Sequence, residues 1–445
     1  MITFKKDYYA DVRIEDRFST EIKFLNGKLG ESKARVEKRA FLRVYDGEMW
    51  YYSATTDPEH IQKALDELYQ VAKPNPDIEN DPVVKKFERN IDRIESFKSN
   101  SVRDIPMSEK TEVIKALVPE VTPGGCTAMN LGKYLDRNSV YEFKSSLGAD
   151  IHYDYQTCGV VLVREMVEGE KKFSAMWQEG DTDFEKLKAK TPEAAGSFKE
   201  QEEFMRGSVP VEEGDYPVVL SPMAAGIFAH ESFGHKSESD FMLSDESMKK
   251  EWELGKKVGS PILTISECGE IPGTGYTPYD DEGTKARKNY LIKDGILAGR
   301  LHSVLTASAL GENVTGNARA VDCTFEPIVR MTTTYIEAGK DTFDQLIAPI
   351  KKGYYIKTIN HGSGMSTFTI APSLAYEIID GKIGRPVQIS VITGNVFETL
   401  GLIDGLSDTL ELKSFVSGGC GKMEQYPLPV GFGGPYVRIS KIKVQ

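Results

Sequence analysis

Two histidines enclose a glutamate in "FAHESFGHKSE", Phe228 to Glu238. In the H-E-x-x-H pattern of zinc hydrolases, histidines four apart on one helical face bind one ion and the glutamate moves protons. Here His230 and His235 are five apart. Residues four apart on a regular helix differ by about 40°, and residues five apart by about 140°. Rings so placed cannot easily share one tetrahedral ion. The spacing serves a metal only if the helix widens by one residue, as in a π-turn, or unwinds before the second histidine. Such π-turns concentrate at functional sites. Gly234 precedes His235, and its conformational freedom is expected to permit the departure. Glu231 and His235 remain four apart, on one side of the turn. Two histidines in a helix-like segment can also be ordinary core or surface residues. Against that, the chain holds six histidines and no other two lie this close.

A catalytic zinc site uses three protein ligands and leaves a position for water. Cys420, in "SFVSGGCGKMEQ", is the candidate for the third: glycines surround it, and a loop of that kind brings backbone close and aims one side chain. The alternative is a small residue in a tight turn. The segment is not a phosphate loop, since G-x-x-x-x-G-K-[ST] fails at Val416 and Met423; "GTGYTP" likewise fails G-x-G-x-x-G at Pro278.

The elements that position these residues can be read in outline. "TEIKFLNGKLGE" and "RAFLRVYDGEMWYYSAT" alternate around Asn26-Gly27 and Asp46-Gly47 and predict hairpins. Asp57 as cap, Pro58 as first helical residue, and Ile61, Ala64, Leu65, Leu68 and Ala72 at helical spacing predict a covering helix. A helix is expected from about Lys110 to Val118. Successive antiparallel strands are expected at 139–146, 149–157, 159–167 and 171–179, and helices at 181–190 and 193–207. A domain boundary is placed at 210/211, giving an N-terminal α+β domain (1–210) and a C-terminal domain (211–445). The latter opens with a buried strand, 217–220, and a helix from about Met223 through the histidines; mainly strands and glycine-rich turns follow. Helices and strands are segregated rather than alternating, so the fold class is α+β: a β-meander with covering helices, then a mixed, strand-rich part carrying the metal helix.

Composition narrows the function. The chain has 445 residues, 40% hydrophobic and 27% charged, with net charge −12. An acidic chain is a poor nucleic-acid binder, because phosphate affinity needs clustered Lys and Arg. "KKGYYIK", Lys351 to Lys357, is expected to be a strand with one exposed face. No apolar run is long enough to span a membrane, and "MITFKKDYYADV" lacks the apolar core of an export signal. Five scattered cysteines argue against a disulfide scaffold and for a reducing cytoplasm.

"HESFGH", followed by "DDEGTKARKNYLIKDGILAGRLHS", "NVTGNARA", "AYEIIDGKIGRPVQISVITGN" and "GGCGKMEQYPLPVGFGGPYVRI", resembles the TldD/PmbA family of metallopeptidases, once called modulators of DNA gyrase. The blocks occur in family order over about residues 215 to 440; the first half resembles the family in layout. The resemblance implies that His230, His235 and Cys420 hold one Zn2+ per chain and that Glu231 is the catalytic acid/base. It implies a two-part α+β fold and a twofold assembly, a homodimer or a heterodimer with a homologue, acting on extended, unstructured peptides. The presence of the histidine pair makes the chain similar to the TldD-type, metal-bearing subunit. One departure is "NHGSGMSTFTIAP", which lacks a glycine expected just before Phe368. In the implied chemistry Zn2+ activates water and polarises the carbonyl, while Glu231 moves the proton to the leaving amine. His361 or Tyr376 could donate to the oxyanion or bind substrate. Asp280, Asp281 and Glu282 are expected either to orient a ligand or bind a peptide amine, or to form an acidic turn. Two rivals remain: a thiol hydrolase with Cys420 as nucleophile, and a non-enzymatic regulatory or binding subunit.

Overall fold

The computed structural model describes residues 2–117 and 125–445. Among these, the first part of the chain builds a seven-stranded, mainly antiparallel sheet. Strand Tyr9–Leu25 turns into Lys28–Tyr45 through Asn26-Gly27, whose φ values of 49° and 74° suit the two-residue turn that matches strand twist. Asp46-Gly47 turns the chain again into Trp50–Thr55. The Asp57 carboxylate accepts from the Glu59 N–H at 3.1 Å, and after one short turn the helix Ile61–Val71 begins. Its apolar stripe of Ile61, Leu65, Leu68 and Tyr69 packs on Ala10, Val12, Leu42 and Val44 of the sheet.

The middle departs from the expected series of short strands. Residues 149–157 and 159–167 belong to one strand, Asp150–Glu168, paired with Thr127–Ser145 on one side and Lys171–Asp181 on the other. Gly159 does not interrupt it. A Cβ there would lie 2.4 Å from Val416 Cγ2, so this glycine lets the second half of the chain press against the sheet. Helices Met107–Ala116, Phe184–Lys190 and Glu193–Gly207 cover the region, burying Ile114, Leu187 and Phe198 in one cluster. The first of these starts earlier than the periodicity predicts, and Val118 lies outside the described residues.

The second part starts on Gly214–Leu220, whose Val218, Val219 and Leu220 are fully buried. Lys352–Gly364 pairs with this strand, which pairs with Val437–Val444; then come Ile392–Asn395 and Thr367–Ile379, which pairs back to Lys352–Gly364. The five strands therefore close a ring. A six-stranded sheet containing Ile265–Cys268, Thr333–Ile336 and Gly431–Gly434 packs beside it. The helix Pro222–Ala229 joins the two: Ala225 and Phe228 share a core with Leu220, Ile356 and Phe368 of the ring and Ile336 of the sheet. The fold is α+β, with strands carrying the framework and helices applied to their faces. Among the described residues no helix is long and apolar enough to cross a membrane.

Candidate metal centre

Ser221 caps the site helix, accepting from the Ala224 N–H at 3.1 Å, and Pro222 occupies the first turn where its missing N–H costs nothing. The helix is α-helical only to Ala229. From His230 to Gly234 it widens to a π-turn, in which the His235 N–H donates to the His230 carbonyl, and a tighter turn follows over His235–Ser237. The extra residue turns the two rings towards each other, with centroids 5.0 Å apart and planes at 80°. Gly234 has an ordinary right-handed helical backbone (φ −56°, ψ −52°). The expectation that it supplies unusual torsions is therefore corrected. What it supplies is room: a Cβ would sit 2.1 Å from Met331 Sδ.

The cysteine arrives on a separate hairpin. Gly418 (φ 86°) turns the chain into Cys420–Lys422, which pairs with Gln425–Leu428. The buried Arg330 guanidinium donates to the Cys420 carbonyl at 2.8 Å and to that of Gln425 at 3.3 Å, holding both strands. Cys420 Sγ then lies 3.4 Å from His235 Nε2. The ligand atoms of His230, His235 and Cys420 all fall within 4.8 Å of one another. Burial alone would push the thiol pKa up, but His230 and His235 outweigh it and hold it down to about 5. His230 Nδ1 is buried with no hydrogen-bond partner among the described residues. Two imidazoles and a cysteine sulfur with their ligand atoms gathered this closely are a donor set that fits a zinc-type ion.

The first residue that sequence reasoning passed over is Glu238. It is fully buried, and its carboxylate faces His235 Nδ1 at 3.3 Å, leaving Nε2 for the cysteine side. Burial would raise its pKa, but Lys422 and His235 outweigh that and lower it. A carboxylate behind a ligating imidazole fixes the ring's tautomer and orientation. The available signal was an acid three residues past a histidine in a helical turn.

Glu231 is half-buried and, with His230 and Cys420, lines a cavity of about 470 Å³. The exposed His361 lines it too, as do Met176 and Gln178 from the first half of the chain. Tyr376 does not line it: its hydroxyl donates to Glu200 at 2.7 Å, and Glu200 pairs with Lys357 on the wall of an adjoining cavity of about 480 Å³. The tyrosine's expected place beside the substrate at the metal is thus replaced by a place behind the neighbouring wall. The acidic run is also elsewhere. Asp280 accepts from the backbone N–H groups of Glu282, Thr284 and Ala318, Asp281 pairs with Arg13 at 3.0 Å and Glu282 with Arg43 at 3.1 Å. Asp280 ties its own turn together, while Asp281 and Glu282 join the halves, and none of the three lines the metal cavity.

Residues 213–445 match the family model of the PmbA/TldA metallopeptidase C-terminal domain, and residues 10–72 that of PmbA/TldA metallopeptidase domain 1. A metalloprotease of Methanothermobacter thermautotrophicus is 31% identical, with 98% of this chain and 95% of that protein aligned. A zinc metalloprotease TldD homolog of Saccharolobus solfataricus is 34% identical over 54% of this chain and 53% of its own. The solved structure of TldE from Thermococcus kodakarensis superposes with a TM-score of 0.74 at 16% identity, covering 98% of this chain and 96% of that one, a likeness of fold.

Proposed function

The chain belongs to the PmbA/TldD metallopeptidase family, and from that premise we propose that it is a Zn2+-dependent peptidase with His230, His235 and Cys420 as metal ligands and Glu231 as acid/base. The observation that carries this reading is the convergence of the three ligand atoms beside Glu231 in one cavity. The choice of zinc draws on the nitrogen and sulfur donors and on the relative named a zinc metalloprotease. When bound, Zn2+ supplies Lewis acidity to the scissile carbonyl and to the attacking water. Glu231 neighbours a ligand without being one, and its carboxylate takes the proton from water and gives it to the leaving amine. His361, exposed on the cavity wall, donates in this reading to the substrate carbonyl or its oxyanion.

The substrate we propose is an extended peptide. The metal cavity and its neighbour share Met176, Gln178, Met223, Ile359, Asn360 and Phe415, so a chain several residues long can lie along both. We divide the molecule at 210/211, and propose a twofold assembly, with itself or with a homologue, in a reducing cytoplasm. The family resemblance supports the assembly. The five cysteines, free among the described residues, support the compartment. Light scattering giving a monomer at micromolar concentration would remove the assembly from this reading.

The thiol–imidazole contact of 3.4 Å and the depressed thiol pKa are also what a thiol hydrolase presents. Metal analysis and cleavage of an unstructured peptide separate the two. A metallopeptidase loses activity to a chelator and regains it with Zn2+. A thiol hydrolase survives the chelator and loses activity to alkylation in the metal-free state. No hydrolysis by a zinc-loaded chain leaves the regulatory reading.

A further inference from the structure

We propose that Lys422 and Glu238 are a positioning pair that makes the metal site depend on docking of the cysteine hairpin. The inference rests on the metal reading above and adds two residues to it. Cys420 and Lys422 are two apart on one strand, so their side chains leave the same face, and both are buried while Gly421 between them is exposed. The hairpin thus delivers a thiol and an ammonium side by side. The thiol meets the Nε2 side of His235 at 3.4 Å. The ammonium meets Glu238 Oε2 at 3.0 Å, and the same oxygen faces His235 Nδ1 at 3.3 Å. One hairpin therefore grips both nitrogens of one imidazole, directly at Nε2 and through Glu238 at Nδ1.

The surroundings show how closely the ammonium is fixed. Lys422 Nζ also bonds both oxygens of Asp240 at 2.7 Å and the Val329 carbonyl at 2.9 Å, and lies 4.3 Å from the centre of the Phe241 ring. Only 3% of its side chain is exposed. Two carboxylates, from Glu238 and Asp240, share this one cation. Without it the buried Glu238 and the half-buried Asp240 lose their shared partner, and nothing on the hairpin holds Glu238 against His235 Nδ1. Lys422 itself does not touch the ligand atoms; it acts on His235 through Glu238, and on Cys420 by docking the strand they share.

The test is Zn2+ affinity by chelator competition, with the ligand-field spectrum of the Co2+-loaded protein as a reading of site geometry. It uses the full chain as wild type, Lys422→Met, Glu238→Gln and the double variant. Loss of an outer partner of a ligating histidine weakens metal affinity by about 10- to 100-fold. Each single variant is expected to fall in that range with shifted Co2+ bands. The double variant is expected to be no weaker than the weaker single, because both break one link. Wild-type affinity and spectrum in either single variant would overturn the proposal. So would losses that multiply in the double variant, which would show two independent structural effects. If Lys422→Met does not fold, Glu238→Gln decides: weakened affinity with shifted bands supports the pair, and an unchanged site overturns it. A wild-type chain that takes up no Zn2+ overturns the metal reading first and this one with it.

Discussion

Replacing Glu231 by glutamine keeps length and volume and removes the proposed proton acceptor. Glu231→Gln is therefore expected to keep its zinc and to lose peptide hydrolysis by about 10²- to 10⁴-fold, the usual worth of a placed general base; metal analysis and cleavage of an unstructured peptide read the two effects separately. Cys420→Ala removes a proposed ligand, so occupancy and activity should fall together. Full zinc occupancy in that variant would exclude Cys420 from the site. A different carboxylate controls acid stability. Glu15 is buried, which alone would raise its pKa, but Arg137 and Arg17 outweigh burial, aided by hydrogen bonds from Arg17 and Ser139, and hold it well below the usual carboxylate range. A depressed folded-state pKa contributes stability that is complete above the unfolded value of about 4.3 and is lost as pH falls below it. Glu15→Gln should lower the melting temperature at pH 7, and the gap from wild type should narrow between about pH 5 and pH 3. A gap constant across that range would show that Glu15 does not act through its charge.

At the scale of elements, the π-turn is held open by space. Ala at position 234 has an allowed backbone there, yet its Cβ would meet Met331 Sδ at 2.1 Å, and Met331 is fully buried. Gly234→Ala should cost about 1–3 kcal/mol of stability, as overpacking does, and weaken Zn2+ binding by displacing His235. Met331→Ala in the same chain should restore much of the metal affinity. Failure of that rescue would mean that backbone freedom at Gly234 matters after all. The case also shows what the sequence could convey. For both histidines to serve one ion, the five-residue spacing required a widened or unwound turn, because it is a statement about one helix and about 100° per residue. The reason for the glycine was hidden, because Met331 is distant in sequence. The same division runs through the fold. Asn26-Gly27, Asp46-Gly47 and the stripe on Ile61–Val71 were legible as local signals. The strands expected at 149–157 and 159–167 are one, and Gly159 inside it accommodates Val416, a contact between halves. Glu238 and Lys422 acquire their roles only once hairpin and helix meet, and the five-strand ring depends on pairings between distant segments.

At the scale of the whole molecule, the two halves are locked by a buried arginine. Arg43 comes from the first sheet, and its side chain is 3% exposed. It bonds Asp11 at 2.6 Å within that sheet and Glu282 at 3.1 Å across the joint, and its guanidinium lies 4.6 Å from the Trp50 ring. The second oxygen of Glu282 accepts from the Val304 N–H at 2.7 Å, so the acid is anchored in the second half. Arg43→Met keeps an unbranched side chain but leaves Asp11 and Glu282 buried without their cation. Breaking a buried pair from one side costs about 3–5 kcal/mol, which a denaturant midpoint would show. The pH dependence has a definite sign. Burial already raises the Glu282 pKa although Arg43 opposes it, so without the cation it rises further, and the penalty is present at high pH and eases as pH falls towards the unfolded value. The loss should be larger at pH 8 than at pH 5. The proposed metal ligands all lie in the second half, whereas Met176 and Gln178 of the cavity wall come from the first. Loosening the joint should therefore raise KM for a peptide while leaving Zn2+ affinity near that of wild type. Unchanged stability would mean that Arg43 does not lock the halves, and a fall in metal affinity matching the fall in activity would mean that the joint acts on the ligands rather than on the substrate path.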